Sequence, residues 1–130
     1  MEGADILIVE DHPTMHEAMR MVLEHEGFVI REAADGQAAV QMVKEQTPDL
    51  VFLDLNIPGM SGAEVLKELK ADPSTADVRV IIVTATGEEE RDHVISLGAD
   101  EFFTKPFSPL ALLRTVERVL AGPPRPDAAP

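Results

Sequence analysis

Four apolar runs in this 130-residue chain each end abruptly on a reactive polar side chain. Ile6-Leu7-Ile8-Val9 runs into Glu10-Asp11, Leu50-Val51-Phe52-Leu53 into Asp54, Val80-Ile81-Ile82-Val83 into Thr84, and Phe102-Phe103 into Thr104-Lys105-Pro106. Short apolar runs bounded by polar and turn residues suit strands buried on both faces, as in a parallel sheet covered by helices. In such sheets ligands gather in the crevice beyond the carboxyl ends of the strands. The pattern therefore directs three carboxylates, a hydroxyl and one ammonium toward one spot.

Helix-like segments separate the runs. Pro13-Thr14 opens a helix with Ala18, Met19, Val22 and Leu23 at helical spacing, and Gly27 ends it. A second strand begins at Phe28-Val29-Ile30, and a helix around Ala38, Ala39, Met42 and Val43 must stop before Thr47-Pro48, because a residue preceding proline avoids the helical region. Ser61-Gly62 starts a third helix carrying Val65, Leu66 and Leu69, which stops near Asp72-Pro73. Glu88-Glu89-Glu90 suits the first turn of a fourth helix, whose positive end the acids complement, and Gly98 closes it. A short strand near 100–103 and a helix from Pro109 to Leu120 complete five alternations. That pattern implies an α/β, flavodoxin-like fold, doubly wound, with helices on both faces of a parallel sheet and right-handed crossovers. The expected domain is 1–121, with 122–130 a proline-rich tail or cut linker.

The charge balance narrows the function classes. With 24 Asp+Glu against 11 Lys+Arg, the formal net charge is −13. A phosphate-tracking nucleic-acid surface is excluded, since such binding needs clustered basic residues. No cysteine is present, so disulfides, thiolate nucleophiles and zinc–thiolate sites are excluded. The opening residues lack a basic leader region and no apolar run is long enough to span a bilayer, so a cytoplasmic protein without membrane insertion is expected.

Two adjacent acids after the first strand and a third after the third strand repel one another unless a hard cation sits among them. Mg²⁺ fits, preferring octahedral oxygen ligands, several of them water, with one or two carboxylates and phosphate oxygens. Glu10-Asp11 also suits a helix cap, but Asp54 at the end of another core strand favours metal binding. Thr84 is either an ordinary strand residue or a hydroxyl donor to a phosphoryl oxygen. Lys105, next to Pro106, balances charge that the carboxylates leave uncompensated. Together the groups meet the needs of phosphoryl transfer, with Asp54 as nucleophile forming an aspartyl phosphate.

The motifs are identified at this point as resembling the receiver domains of two-component response regulators, the CheY-like family. The signatures are Glu10-Asp11, Asp54 with Pro58 and Gly62 downstream, Thr84-Ala85, Gly98-Ala99-Asp100, and Lys105-Pro106-Phe107. The resemblance implies five helices and strand order 2-1-3-4-5. It implies that Asp54 is the phosphoacceptor, that Thr84 and Lys105 bind phosphoryl oxygens, and that the Asp11 and Asp54 carboxylates with the Asn56 main-chain carbonyl hold Mg²⁺, Glu10 acting mainly through water. Thr84 and Phe102 would form the switch, Phe102 occupying a place where tyrosine is common. The phosphodonor would be a histidine kinase or histidine phosphotransfer protein. The output would be a downstream protein or a homodimer, recruited through a face of the fourth helix, fifth strand and fifth helix near His93, Val94, Phe102 and Arg114.

Rival classes fare worse. A haloacid-dehalogenase-like phosphatase resembles this chain only if an acid stands two residues after Asp54, and Asn56 is there instead. A flavodoxin needs a hydroxyl-rich loop where Glu10-Asp11-His12-Pro13 would repel phosphate. A degenerate receiver acting only as a binding module is disfavoured because every expected site residue is present, whereas a receiver excised from a longer regulator fits the proline-rich end. His12, His16, His25 and His93 show no metal-type spacing and are expected on the surface or facing helices.

Overall fold

The computed structural model describes residues 3–10, 13–85, 88–105 and 108–121. Five strands, β1 (Asp5–Val9), β2 (Val29–Ala33), β3 (Leu50–Leu53), β4 (Arg79–Thr84) and β5 (Glu101–Thr104), form one parallel sheet in the order β2-β1-β3-β4-β5. The helices are α1 (Pro13–His25), α2 (Gly36–Glu45), α3 (Gly62–Ala71), α4 (Arg91–Ser96) and α5 (Pro109–Ala121). Alternation along the strands divides the core in two. Leu7, Val9, Val51, Leu53, Val80 and Ile82 face α2, α3 and α4, while Ile6, Ile8, Leu50, Phe52, Ile81 and Val83 face α1 and α5.

Local signals act where the sequence places them. Asp35 accepts from the Ala38 N–H at 2.8 Å and caps α2. Ser61 caps α3 in a reciprocal arrangement: its hydroxyl accepts from the Glu64 N–H at 3.2 Å and donates to the Glu64 carboxylate at 3.2 Å. Gly27 and Gly98 hold φ of 89° and 113°, turning the chain after α1 and α4 in a region that side chains resist.

Two expectations need correction. Glu88-Glu89-Glu90 is not the first turn of α4 but a separate 3₁₀ turn, and Glu90 makes no side-chain cap. The Phe102-Phe103 strand is not buried on both faces: β5 is the sheet edge, its first three residues half-buried and Thr104 exposed. Phe102 packs against the α2–α3–α4 side of the core and Phe103 against the α1–α5 side. Residues 122–130 lie outside the described residues.

Candidate functional site

The four central and edge strands deliver their polar end residues side by side. Val9 and Leu53 are partners across β1 and β3, so Glu10 and Asp54 emerge at the same level, and the Asp54 N–H donates to the Val9 carbonyl at 3.0 Å. Thr84 pairs with Thr104, and the Lys105 N–H donates to the Thr84 carbonyl at 2.8 Å. Glu10, Asp54 and Thr84 are buried, at 3%, 5% and 0% exposure.

Lys105 joins the two acids. Its Nζ lies 2.6 Å from Glu10 Oε1 and 2.9 Å from Asp54 Oδ2. The other Asp54 oxygen, Oδ1, accepts from the Asn56 main-chain N–H at 2.9 Å, and the Asn56 side chain donates to Thr84 Oγ1 at 3.3 Å. Both Asp54 oxygens are thus held in defined directions. Burial alone would lower the Lys105 ammonium, but hydrogen bonds and charge from Glu10 and Asp54 outweigh it and hold the group above the ordinary lysine value.

A raised lysine stabilises the fold fully below its unfolded pKa of about 10.4 and loses that contribution as pH climbs through the folded value. Wild-type protein is therefore expected to lose stability above about pH 10 more steeply than Lys105→Met, as read from denaturant midpoints between pH 7 and 11. The chain has neither tyrosine nor cysteine, so the other side chains that titrate near the top of that window are Lys44, Lys67 and Lys70, which wild type and variant share. At pH 7 the variant is expected to be about 3–5 kcal/mol less stable, because it takes the ammonium from between two buried carboxylates. Equal alkaline slopes would remove the bridge as a stabilising contact.

A loop–helix contact fixes Asp54 from below. Gly62 opens α3 directly against the strand end: a Cβ there would lie 2.7 Å from Leu55 Cα and closer still to the Asp54 carbonyl oxygen. The Gly62 N–H donates to the Leu55 carbonyl at 3.0 Å.

Of the residues expected at the site, Glu10, Asp54, Asn56, Thr84 and Lys105 converge. Asp11, with His12, lies outside the described residues, as do Pro106 and Phe107. Phe102 sits one strand pair away, opposite Ile82. Val94 is fully buried and cannot form part of an exposed recruiting face, whereas His93 and Arg114 are exposed. His25 and His93 are exposed as expected. His16 differs: it is half-buried, and its Nδ1 lies 3.2 Å from the Glu10 carbonyl oxygen. A signal existed, since helical side chains tilt toward the N-terminus and residue 16 lies in the first turns after the site loop.

Among the described residues no group of three or more His, Cys, Asp or Glu is arranged to hold a metal. Two buried carboxylates nevertheless flank a single ammonium, so negative charge exceeds positive, and hard oxygen donors of this kind fit Mg²⁺.

Comparison with known proteins agrees with this geometry. The family model of the response regulator receiver domain matches residues 6–117. The phosphate regulon transcriptional regulatory protein PhoB of Escherichia coli is 43% identical over 116 residues, covering 88% of this chain and 51% of that protein, so the chain spans about half its length. Protein PilH of Pseudomonas aeruginosa is 37% identical over 121 residues, covering 92% of this chain and 99% of PilH. Among solved structures, the receiver domain of a Pseudomonas aeruginosa sensor histidine kinase, described with magnesium coordinated in its active-site cleft, matches with a TM-score of 0.85 at 27% identity over 92% of this chain and 99% of its own. The strand order, the acid–lysine cluster and these likenesses make one assignment: the chain belongs to the response regulator receiver domains of two-component signalling, with a CheY-like fold.

Proposed function

We propose that this receiver is a phosphorylation-dependent switch in which Asp54 takes a phosphoryl group from a phosphohistidine. The observation that carries the reading is the Lys105 ammonium set between Glu10 and Asp54, beyond the ends of three strands. An Asp54 oxygen forms the new P–O bond as the donor's P–N bond breaks, and the leaving imidazole takes a proton. Lys105 then pairs with a phosphoryl oxygen, and Thr84 donates its hydroxyl to another. Glu10, Asp11 and Asp54 with the Asn56 main-chain carbonyl would hold Mg²⁺, which when bound neutralises the charge of the incoming dianion. The domain is a signalling element and not a classical enzyme; in this reading it catalyses only its own phosphorylation and dephosphorylation.

Relatives of this chain include one of nearly equal length and others about twice as long, so the output is proposed for the domain alone. Its phosphodonor is a histidine kinase or histidine phosphotransfer protein, and both operate in the cytoplasm. The recruiting face is made of α4, β5 and α5, with His93 and Arg114 at its surface. Asn56, whose amide is engaged with Thr84, does not favour the phosphatase alternative.

The test is phosphorylation by acetyl phosphate, followed by intact-protein mass spectrometry. One added phosphoryl mass is expected with Mg²⁺ and none in excess chelator. Equal labelling without the cation would overturn the metal-dependent reading.

Signal transmission gives a second expectation. Phosphate on Asp54 draws the Thr84 hydroxyl toward it, vacating space beside Ile82 and Phe102, so a small displacement biases the α4–β5–α5 face. The coupling should be about 1–3 kcal/mol. Beryllofluoride, a phosphoryl mimic, is expected to shift amide NMR signals both at the site and over 90–103, and Thr84→Ala should retain the first set while losing the second. Identical distant shifts in the variant would sink this route.

A further inference from the structure

Asn56 reaches two groups of the site at once. Its main-chain N–H donates to Asp54 Oδ1 at 2.9 Å, and its side-chain amide donates to Thr84 Oγ1 at 3.3 Å. The first contact orients the phosphoacceptor. The second joins an exposed residue of the loop after β3 to a threonine that is fully buried at the end of β4. By strand alternation Thr84 lies on the same side of the sheet as Ile82, and Ile82 pairs with Phe102 of β5 within the core that includes Val94 of α4. The amide therefore holds the first member of a row that leads away from the site.

The bond suits release. At 3.3 Å it lies beyond the range of about 2.7–3.2 Å typical of N–H···O bonds, and both partners are neutral. A phosphoryl oxygen is charged, and hydrogen bonds to charged acceptors are roughly twice as strong as neutral ones. The amide resists displacement of the Thr84 hydroxyl, and a phosphoryl group on Asp54 overcomes that resistance. A cavity of about 210 Å³, lined by Asn56 together with Ser61 and Glu90, gives the released amide room to turn.

We propose that Asn56 is a positioning residue for the switch: its amide holds the Thr84 hydroxyl in the resting place, so that removing the amide lets the receiver visit the switched conformation without a phosphoryl group. The inference rests on the reading that Thr84 carries the signal from Asp54 toward β5. The net effect of one such hydrogen bond on a two-state equilibrium is about 2–10-fold. When the switched form is the minor one, the apparent affinity of a ligand that selects it changes by the same factor.

The experiment titrates beryllofluoride, with Mg²⁺ present, into wild type, Asn56→Ala, Thr84→Val and the double variant. Amide NMR signals beside Asp54 give the midpoint, and the Thr84 methyl signal reports the side chain itself. Because Asn56 is exposed, its truncation leaves the fold intact, and Thr84→Val keeps the branched shape while removing the oxygen. Asn56→Ala is expected to tighten the midpoint by about 2–10-fold. Before any beryllofluoride is added, it should also move the Thr84 methyl signal along the line joining the free and bound positions of wild type. In the Thr84→Val background the same substitution is expected to leave the midpoint unchanged. An unmoved Thr84 methyl signal or an untightened midpoint in Asn56→Ala would overturn the proposal. Equal tightening in the Thr84→Val background would do so too, tracing the effect to space opened beside Asp54. Failure of wild type to take up beryllofluoride, or a Thr84 methyl signal that stays in place when it does, is a different result: it removes the reading of Thr84 as the carrier, and the inference with it.

Discussion

Phosphorylation of the chain by acetyl phosphate is expected to vanish on replacing Asp54 with asparagine. The amide is nearly isosteric, so the Asn56 N–H still finds an acceptor where it now meets Oδ1 at 2.9 Å, and the fold should persist. What disappears is the nucleophile: an amide oxygen carries no full charge with which to form an acyl phosphate. The substitution also removes one of two buried carboxylates sharing the Lys105 ammonium, leaving Glu10 and Lys105 as a neutral pair. Less like-charge repulsion means the variant should melt no lower than wild type at pH 7. Intact mass and a thermal melt on the same sample separate loss of chemistry from loss of structure. A phosphorylated Asp54→Asn protein would move the acceptor elsewhere, with Glu10 the next group to examine.

The second large effect is expected at Gly62, with a sign opposite to the usual one. Alanine in place of a helical glycine ordinarily stabilises by about 0.4–1 kcal/mol when the backbone accepts it. Here the added Cβ would press on main-chain atoms of Asp54 and Leu55, which cannot swing aside as a side-chain tip can. Gly62→Ala is therefore expected to destabilise by about 1–3 kcal/mol or somewhat more, since overpacking forces backbone shifts. In a domain of this size that lowers the melting temperature by roughly 3–12 °C. Because relief requires α3 to back away from the strand end, the rate of phosphorylation should fall as well. A variant as stable as wild type by circular dichroism would show that the α3 start has room to move.

Much of the architecture was legible because local and global signals coincide in this chain. Ile6 to Val9 reads as a buried strand from its residues alone, and Ser61-Gly62 reads as a helix start. The convergence of Glu10, Asp54, Thr84 and Lys105 followed from a topological rule about strand ends, without knowledge of any distance. Less was legible where through-space proximity decides. Nothing in the residues around Gly62 reveals that the Asp54 backbone lies against it. The His16 contact likewise depends on how α1 leans over the first turn, and β5 looked like a core strand because composition does not distinguish an edge with half-buried phenylalanines from a central position. The three glutamates at 88–90 were read as the first turn of a helix, whereas the chain forms a separate 3₁₀ turn there.

The edge position of β5 has a consequence for the timing of the switch. Three of the strands that build the site are buried through most of their length, but the one leading to Lys105 has neighbours on a single side. Proteins open locally at free energies well below that of global unfolding, and edges with few buried contacts open first. Release of β5 alone would carry off the ammonium while β1 and β3 stay paired, parting Lys105 from Glu10 and Asp54. If Asp54 accepts phosphate as proposed, fraying of this one short strand would lower the fraction of molecules ready to react, and a partner that clasps β5 would raise it by keeping the counter-charge at home.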